Sequence, residues 1–178
     1  MSDVVVHKIV RPERTTSGSW LEVIASNLDY HRATFLWKCE GLSEAQLRQR
    51  PVRTSGLTLL GLMRHLQGVE RHWFQRTLAG TPPRFFPYRT YVTAAGDEWY
   101  DELDPTPARD VYEDYVEACE ESRQVFARVT DDTARIVSSS EFGATDVRFV
   151  LEHVIEEYAR HIGHADLVRE AIDGATGE

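Results

Sequence analysis

Four long stretches of this chain place apolar residues at helical spacing, each bounded by residues that start or stop a helix, and no stretch alternates convincingly as a strand does. The first opens at Ser19-Trp20-Leu21-Glu22, where Ser19 and Glu22 are placed to satisfy orphan N–H groups reciprocally. It runs to about Glu40, and Gly41 is suited to the left-handed conformation that stops a helix. A short turn, Ser43–Arg48, precedes Pro51. The second helix spans about Leu57 to Ala79 and stops at Gly80, ahead of Pro82-Pro83. Thr106-Pro107, a cap residue before a first-turn proline, starts a third that reaches about Val129. Thr145-Asp146 starts the fourth, which ends at Asp173-Gly174.

Strand signal is confined to a brief pairing segment at Arg135–Ser139. Four amphipathic helices without a sheet predict an all-α fold, a four-helix bundle. A length of 178 residues suits one domain. The expected division is an N-terminal extension over 1–18, the bundle over 19–174 and a C-terminal tail over 175–178. The longest connection, Thr81–Pro105, carries Phe85, Phe86, Tyr88, Tyr91, Trp99 and Tyr100, and long loops in compact domains are often functional.

Charge narrows the function classes. With 20 Lys and Arg against 29 Asp and Glu the net charge is -9, and no basic cluster is present, which argues against nucleic acid and anionic membrane surfaces as partners. Met1–Ser19 holds only short apolar pieces, too little for a signal peptide, and nothing is long enough to span a bilayer. Cys39 and Cys119 are far apart and form no metal or redox motif, so a reduced, cytoplasmic location is expected. No nucleophile elbow, Walker loop, dinucleotide fingerprint or H-E-x-x-H motif occurs.

Chemistry concentrates in the fourth helix, in HVIEEYARHIGH. On a helix, His153, Glu157, His161 and His164 fall within an arc of about 80° beside the apolar stripe Val147, Leu151, Val154, Tyr158, Ile162 and Ala165. Glu156 and Arg160 fall beyond it, toward solvent, which selects Glu157 as the functional carboxylate. Imidazole and carboxylate aimed at one point suit a divalent metal, zinc first, with nickel and iron also compatible. A further ligand must come from elsewhere, and His65 sits at the edge of the second helix's stripe (Leu59, Leu62, Leu66, Val69, Trp73), with His72 on nearly the same line. Glu70 falls inside the apolar sector and calls for an arginine, Arg32 of the first helix being one choice. The bland reading is an ordinary helix-stabilising pair at 157 and 161. His31, His72 and His153 taken singly are more readily hydrogen-bonded core residues than ligands.

The segments GLSEAQLRQRPVRTSGLTLLGLMRHLQGVERHWF and EEYARHIGHADLVREAIDG resemble the DUF664 group of the DinB-like superfamily. That superfamily also includes mycothiol-dependent maleylpyruvate isomerase and bacillithiol-linked transferases. The resemblance covers about Trp20 to Gly174 and implies a bundle of up-down-down-up connectivity. It further implies a metal held by His65, Glu157 and His161, with His153 outside that pattern and His164 where many relatives carry glutamine. His153, His164, His72 and Glu70 are then outer partners or alternatives.

The function expected on this basis is metal-dependent thiol S-transfer or isomerisation, with mycothiol or bacillithiol as the cosubstrate acting on a small electrophile. The alternatives are a non-catalytic metal-binding bundle with a stress or detoxification accessory role, and a metal-assisted hydrolase using His153, His72 or Glu70 as its acid–base group. The resemblance and the frequency of cyclic dimers also lead to the expectation of a homodimer.

Overall fold

The structure, a computed structural model, describes residues 4–82, 105–137 and 143–177. The aromatic-rich segment 83–104 therefore lies outside the described residues. Helix α1 spans Trp20–Cys39, and its capping box is formed: the Glu22 N–H donates to Ser19 Oγ at 3.3 Å while the Ser19 N–H donates to Glu22 Oε2 at 2.8 Å. Gly41 follows with φ +76°, and its N–H donates to the Val6 carbonyl. A single turn, α2 (Glu44–Leu47), carries a second capping box from Ser43 and Gln46.

Helix α3 spans Leu59–Glu70, capped by Thr58 Oγ1 on the Gly61 N–H at 2.8 Å. The chain then continues without a break as a π-helix over Arg71–Leu78, where the Ala79 N–H reaches back five residues to the Phe74 carbonyl. Apolar spacing at 3.6 residues gave no hint of this widening. Helix α4 spans Ala108–Phe126. Its cap differs from the sequence expectation, because Pro107 is extended (φ -55°, ψ 142°) and itself occupies the cap, one residue after Thr106. Strands β1 (Arg135–Val137) and β2 (Ala144–Asp146) pair antiparallel, with Ile136 opposite Thr145. Asp146 then accepts the Phe149 N–H at 2.9 Å to start α5, Val147–Asp173, which stops at Gly174 with φ +79°.

The result is the expected all-α bundle. Helix α1 packs chiefly on α5, and α3 packs on both α4 and α5, so the first helix lies against the last. The long helices bury one continuous core that includes Leu28, Phe35, Leu62, Leu66, Tyr115, Leu151, Val154 and Tyr158. Val5 and Val6 join that core, and the Ile9 N–H donates to Glu40 Oε2 at 2.7 Å, tying the N-terminal segment to the end of α1. Cys39 and Cys119 are free, buried thiols, the structural role expected of them. Among the described residues no helix is long and apolar enough to cross a membrane.

Candidate metal centre

Mid-bundle, α5 and α3 bring three ligand types together. At 27 residues α5 is about 40 Å long, and both Glu157 and His161 lie more than two turns from either end, where a helix is stiffest. One turn apart on the same face, they converge: His161 Nε2 is 3.2 Å from Glu157 Oε2. From α3, His65 places Nε2 3.0 Å from that same oxygen. The two imidazole rings meet edge to face at 4.4 Å. All three donor atoms lie within 4.8 Å of one another. His161 is 4% exposed, and His65 and Glu157 are half-buried.

Two neutral imidazoles and one carboxylate form a borderline donor set, which zinc, iron and nickel accept. Donors at 2.0–2.2 Å from a common ion in tetrahedral arrangement stand roughly 3.3–3.6 Å apart, so the two histidine–carboxylate separations have to open only by about a few tenths of an ångström. Charge balance points the same way. Among the described residues the ion-pair contacts of Glu157 are all histidines, namely His65, His161 and His153. A half-buried carboxylate with no arginine or lysine against it leaves a negative charge that a cation would neutralise. Hydrogen bonds from His161 and then His65 hold its pKa well below the usual carboxylate range, in spite of burial. The residues present therefore fit a divalent metal.

The surrounding histidines are placed differently. His164 Nδ1 lies 3.2 Å from His161 Nδ1, so one ring donates to the other. Burial, followed by the positive fields of His161 and Arg160, lowers the His164 pKa and favours its neutral form. A neutral His164 can accept the His161 Nδ1–H, and that tautomer would present the Nε2 lone pair of His161 to an ion in place of the hydrogen bond to Glu157. His153 sets Nε2 3.6 Å from Glu157 Oε1. His72 packs edge-on to Trp73 at 5.0 Å and is not one of the three converging groups. It shares His65's line only if the helix stays at 3.6 residues per turn, and the π-helix begins one residue before it.

Glu70 is committed elsewhere. Arg32 grips it through two 2.8 Å hydrogen bonds, Nε to Oε1 and Nη2 to Oε2, and Tyr158 donates to Oε1 at 2.6 Å. The Tyr158 proton is thus spent on Glu70, so Tyr115 donates to the Tyr158 oxygen across 2.9 Å. A carboxylate fully enclosed and held by a bidentate arginine is poorly placed to shuttle protons, which removes Glu70 from the acid–base alternatives. The sequence pointed to Arg32 as one partner; the tyrosine pair was not anticipated, because tyrosines on apolar stripes look like ordinary core residues. The i,i+3 spacing of His161 and His164 was a usable signal for their contact.

A family model described as Mycothiol-S-transferase matches residues 23–174. No curated protein matches the chain.

Proposed function

The chain belongs to the mycothiol-S-transferase family, a DinB-like family, and from that premise we propose that it is a metal-dependent enzyme joining a small-molecule thiol to an electrophile. His65, Glu157 and His161 hold the ion, and mycothiol, the thiol in the family's name, is the first cosubstrate to test. The observation that carries the reading is the lone carboxylate ringed by histidines between α3 and α5. Bound there, a divalent ion would supply Lewis acidity that draws a thiol's pKa down toward neutral.

The chain's own residues do the rest. Glu157 stays ionised across the physiological range and supplies the one negative charge of the donor set. His164 fixes the tautomer of His161. The protein's thiols are unsuited to be the nucleophile: burial pushes both Cys39 and Cys119 up to about 12. The sulfur must therefore arrive with a cosubstrate. In the transfer its S–H proton passes to solvent water, a sulfur–carbon bond forms, and the electrophile's leaving group departs with the bonding pair.

The test is elemental analysis of protein purified without an affinity tag, followed by a screen of thiols against electrophiles with the metal-loaded protein. The expected result is one divalent ion per chain and thiol consumption that disappears in Glu157→Ala. Metal-loaded protein that consumes neither mycothiol nor any other small thiol would overturn the enzymatic reading.

A further inference from the structure

The two oxygens of Glu157 are not equivalent. Oε2 faces both His65 Nε2 at 3.0 Å and His161 Nε2 at 3.2 Å. Oε1 is turned the other way and faces His153 Nε2 at 3.6 Å. At that distance the pair is an ion-pair contact, longer than a good hydrogen bond, so a small rotation of the carboxylate closes it as long as the His153 ring is held in place.

Two aromatic rings keep it there. Phe149, one turn earlier on α5, lies nearly parallel to the imidazole, at 11° and 5.9 Å between centroids. Trp73 meets it edge to face at 4.7 Å. Trp73 is 6% exposed and belongs to the π-helical segment, which sets its phase differently from a continued α-helix. On its other side the His153 Nδ1 lies 3.7 Å from Glu156 Oε2. The ring is therefore bracketed by two carboxylates along the helix and by two aromatic faces across it.

We propose that His153 is a positioning residue of the metal centre: backed by Trp73 on the π-helical turn, it engages Glu157 Oε1 and leaves Oε2 as the single ligand oxygen. Carboxylates bind cations through one oxygen or through both, and the choice changes how many coordination positions remain. A one-oxygen Glu157 with two imidazoles makes a three-ligand centre, the arrangement that leaves a place for an incoming group. Loss of the His153 contact lets the carboxylate rotate and use both oxygens, filling a position that the thiol requires. This inference rests on the metal reading above.

The test uses the full chain stripped of metal and titrated with cobalt(II), whose visible absorption is intense when four-coordinate and weaker when a further ligand joins. His153→Phe keeps the ring packing and removes both nitrogens. Its expected outcome is cobalt binding weakened about 10- to 100-fold, the usual effect of removing a residue that orients a ligand, with lower visible absorption per bound cobalt. His153→Gln, which retains an N–H donor, is expected to restore the parental spectrum and come within a few-fold of parental affinity. Should His153→Phe not fold, as judged by circular dichroism, His153→Leu serves the same comparison. Parental affinity and spectrum in a folded variant lacking the nitrogens would overturn the positioning role while leaving the metal reading intact. A parent chain that binds neither cobalt nor zinc would overturn the metal reading and this inference with it.

Discussion

Two polar centres sit inside this bundle, built in part from the same two helices, and they are resolved in opposite ways. In the first, Glu70 of α3 is neutralised by Arg32 of α1, bonded by Tyr158 of α5, and linked through that hydroxyl to Tyr115 of α4. Each long helix contributes one residue. Asp29 extends the network, accepting from Arg32 Nη1 at 3.0 Å and from Arg123 Nε at 2.9 Å. In the second, Glu157 is the immediate neighbour of Tyr158 along α5, yet it turns toward His65 and among the described residues its ion-pair contacts are all imidazoles. One carboxylate is closed off with its own counter-charge, and the other is presented with its charge unbalanced. A buried ion pair that is fully bonded specifies how helices align. A carboxylate left among neutral donors specifies what comes in from outside.

The most forceful way to break the comparison is Glu157→Ala. It removes the only negative donor of the open centre, so metal retention is expected to disappear while the helical circular dichroism stays near that of the parent. The bundle core is independent of that carboxylate, since its apolar residues pack without it. Unchanged metal content in the variant would end the case for Glu157 as a ligand. Glu70→Ala probes the closed centre and should give the opposite pattern. It strands Arg32, 3% exposed, where burial opposes the charge but the field and hydrogen bonds of Glu70, with Cys119 and Tyr158 adding to them, hold the pKa well above the ordinary arginine range. Urea unfolding is expected to show a loss of about 3–5 kcal/mol, with metal content per folded chain retained. A variant that loses metal but not stability would show that the two centres are one.

The sequence made the helices legible because their ends are written in capping chemistry. Ser19 with Glu22, Asp146, Gly41 and Gly174 all act at the ends where their side chains or φ values were expected to act. The convergence of His65, Glu157 and His161 was legible in part, from helical phase within α5, with the family resemblance supplying the link to α3. The π-helix was not legible, since a widened turn leaves the apolar composition unchanged and shifts only the phase. Trp73, which meets His153 edge to face, lies inside that segment. The cap of α4 stands one residue later than expected because a proline can itself take the extended cap position, which spacing alone does not reveal.

A smaller effect is expected from His164→Ala, which sharpens what presentation of the open centre requires. The substitution removes the Nδ1 partner 3.2 Å away, one of the contacts that fix the ring and tautomer of His161. Metal affinity, measured by competition with a chromogenic chelator, should fall about 10- to 100-fold without abolition, and thermal stability should change little. Parental affinity would show that packing alone orients His161.

The comparison also sets opposite fates for a thiol, and that gives the smallest effect and its sign. Under the proposed function a thiol entering the open centre would have its pKa drawn down by a bound ion, whereas Cys119, 3.9 Å from Glu70 Oε1 in the closed one, is pushed up to about 12 by burial and then by that carboxylate. Cys39 is pushed to about 12 as well, by burial alone against the opposing field of Arg169. Both folded values lie above the unfolded one, so the unfolded chain loses these protons first. Their contribution to stability is fully present below the unfolded thiol pKa and is lost as pH rises from there toward about 12. Between pH 9 and 10 each thiol should lower stability by about 1 kcal/mol. Urea unfolding at the two pH values measures this, and Cys39→Ala should remove about half of the thiol share, whatever its own effect on packing. A slope unchanged by that substitution would mean that Cys39 ionises as readily in the folded chain as in the unfolded one, and that its enclosure against the α1–α5 packing is looser than the structure shows.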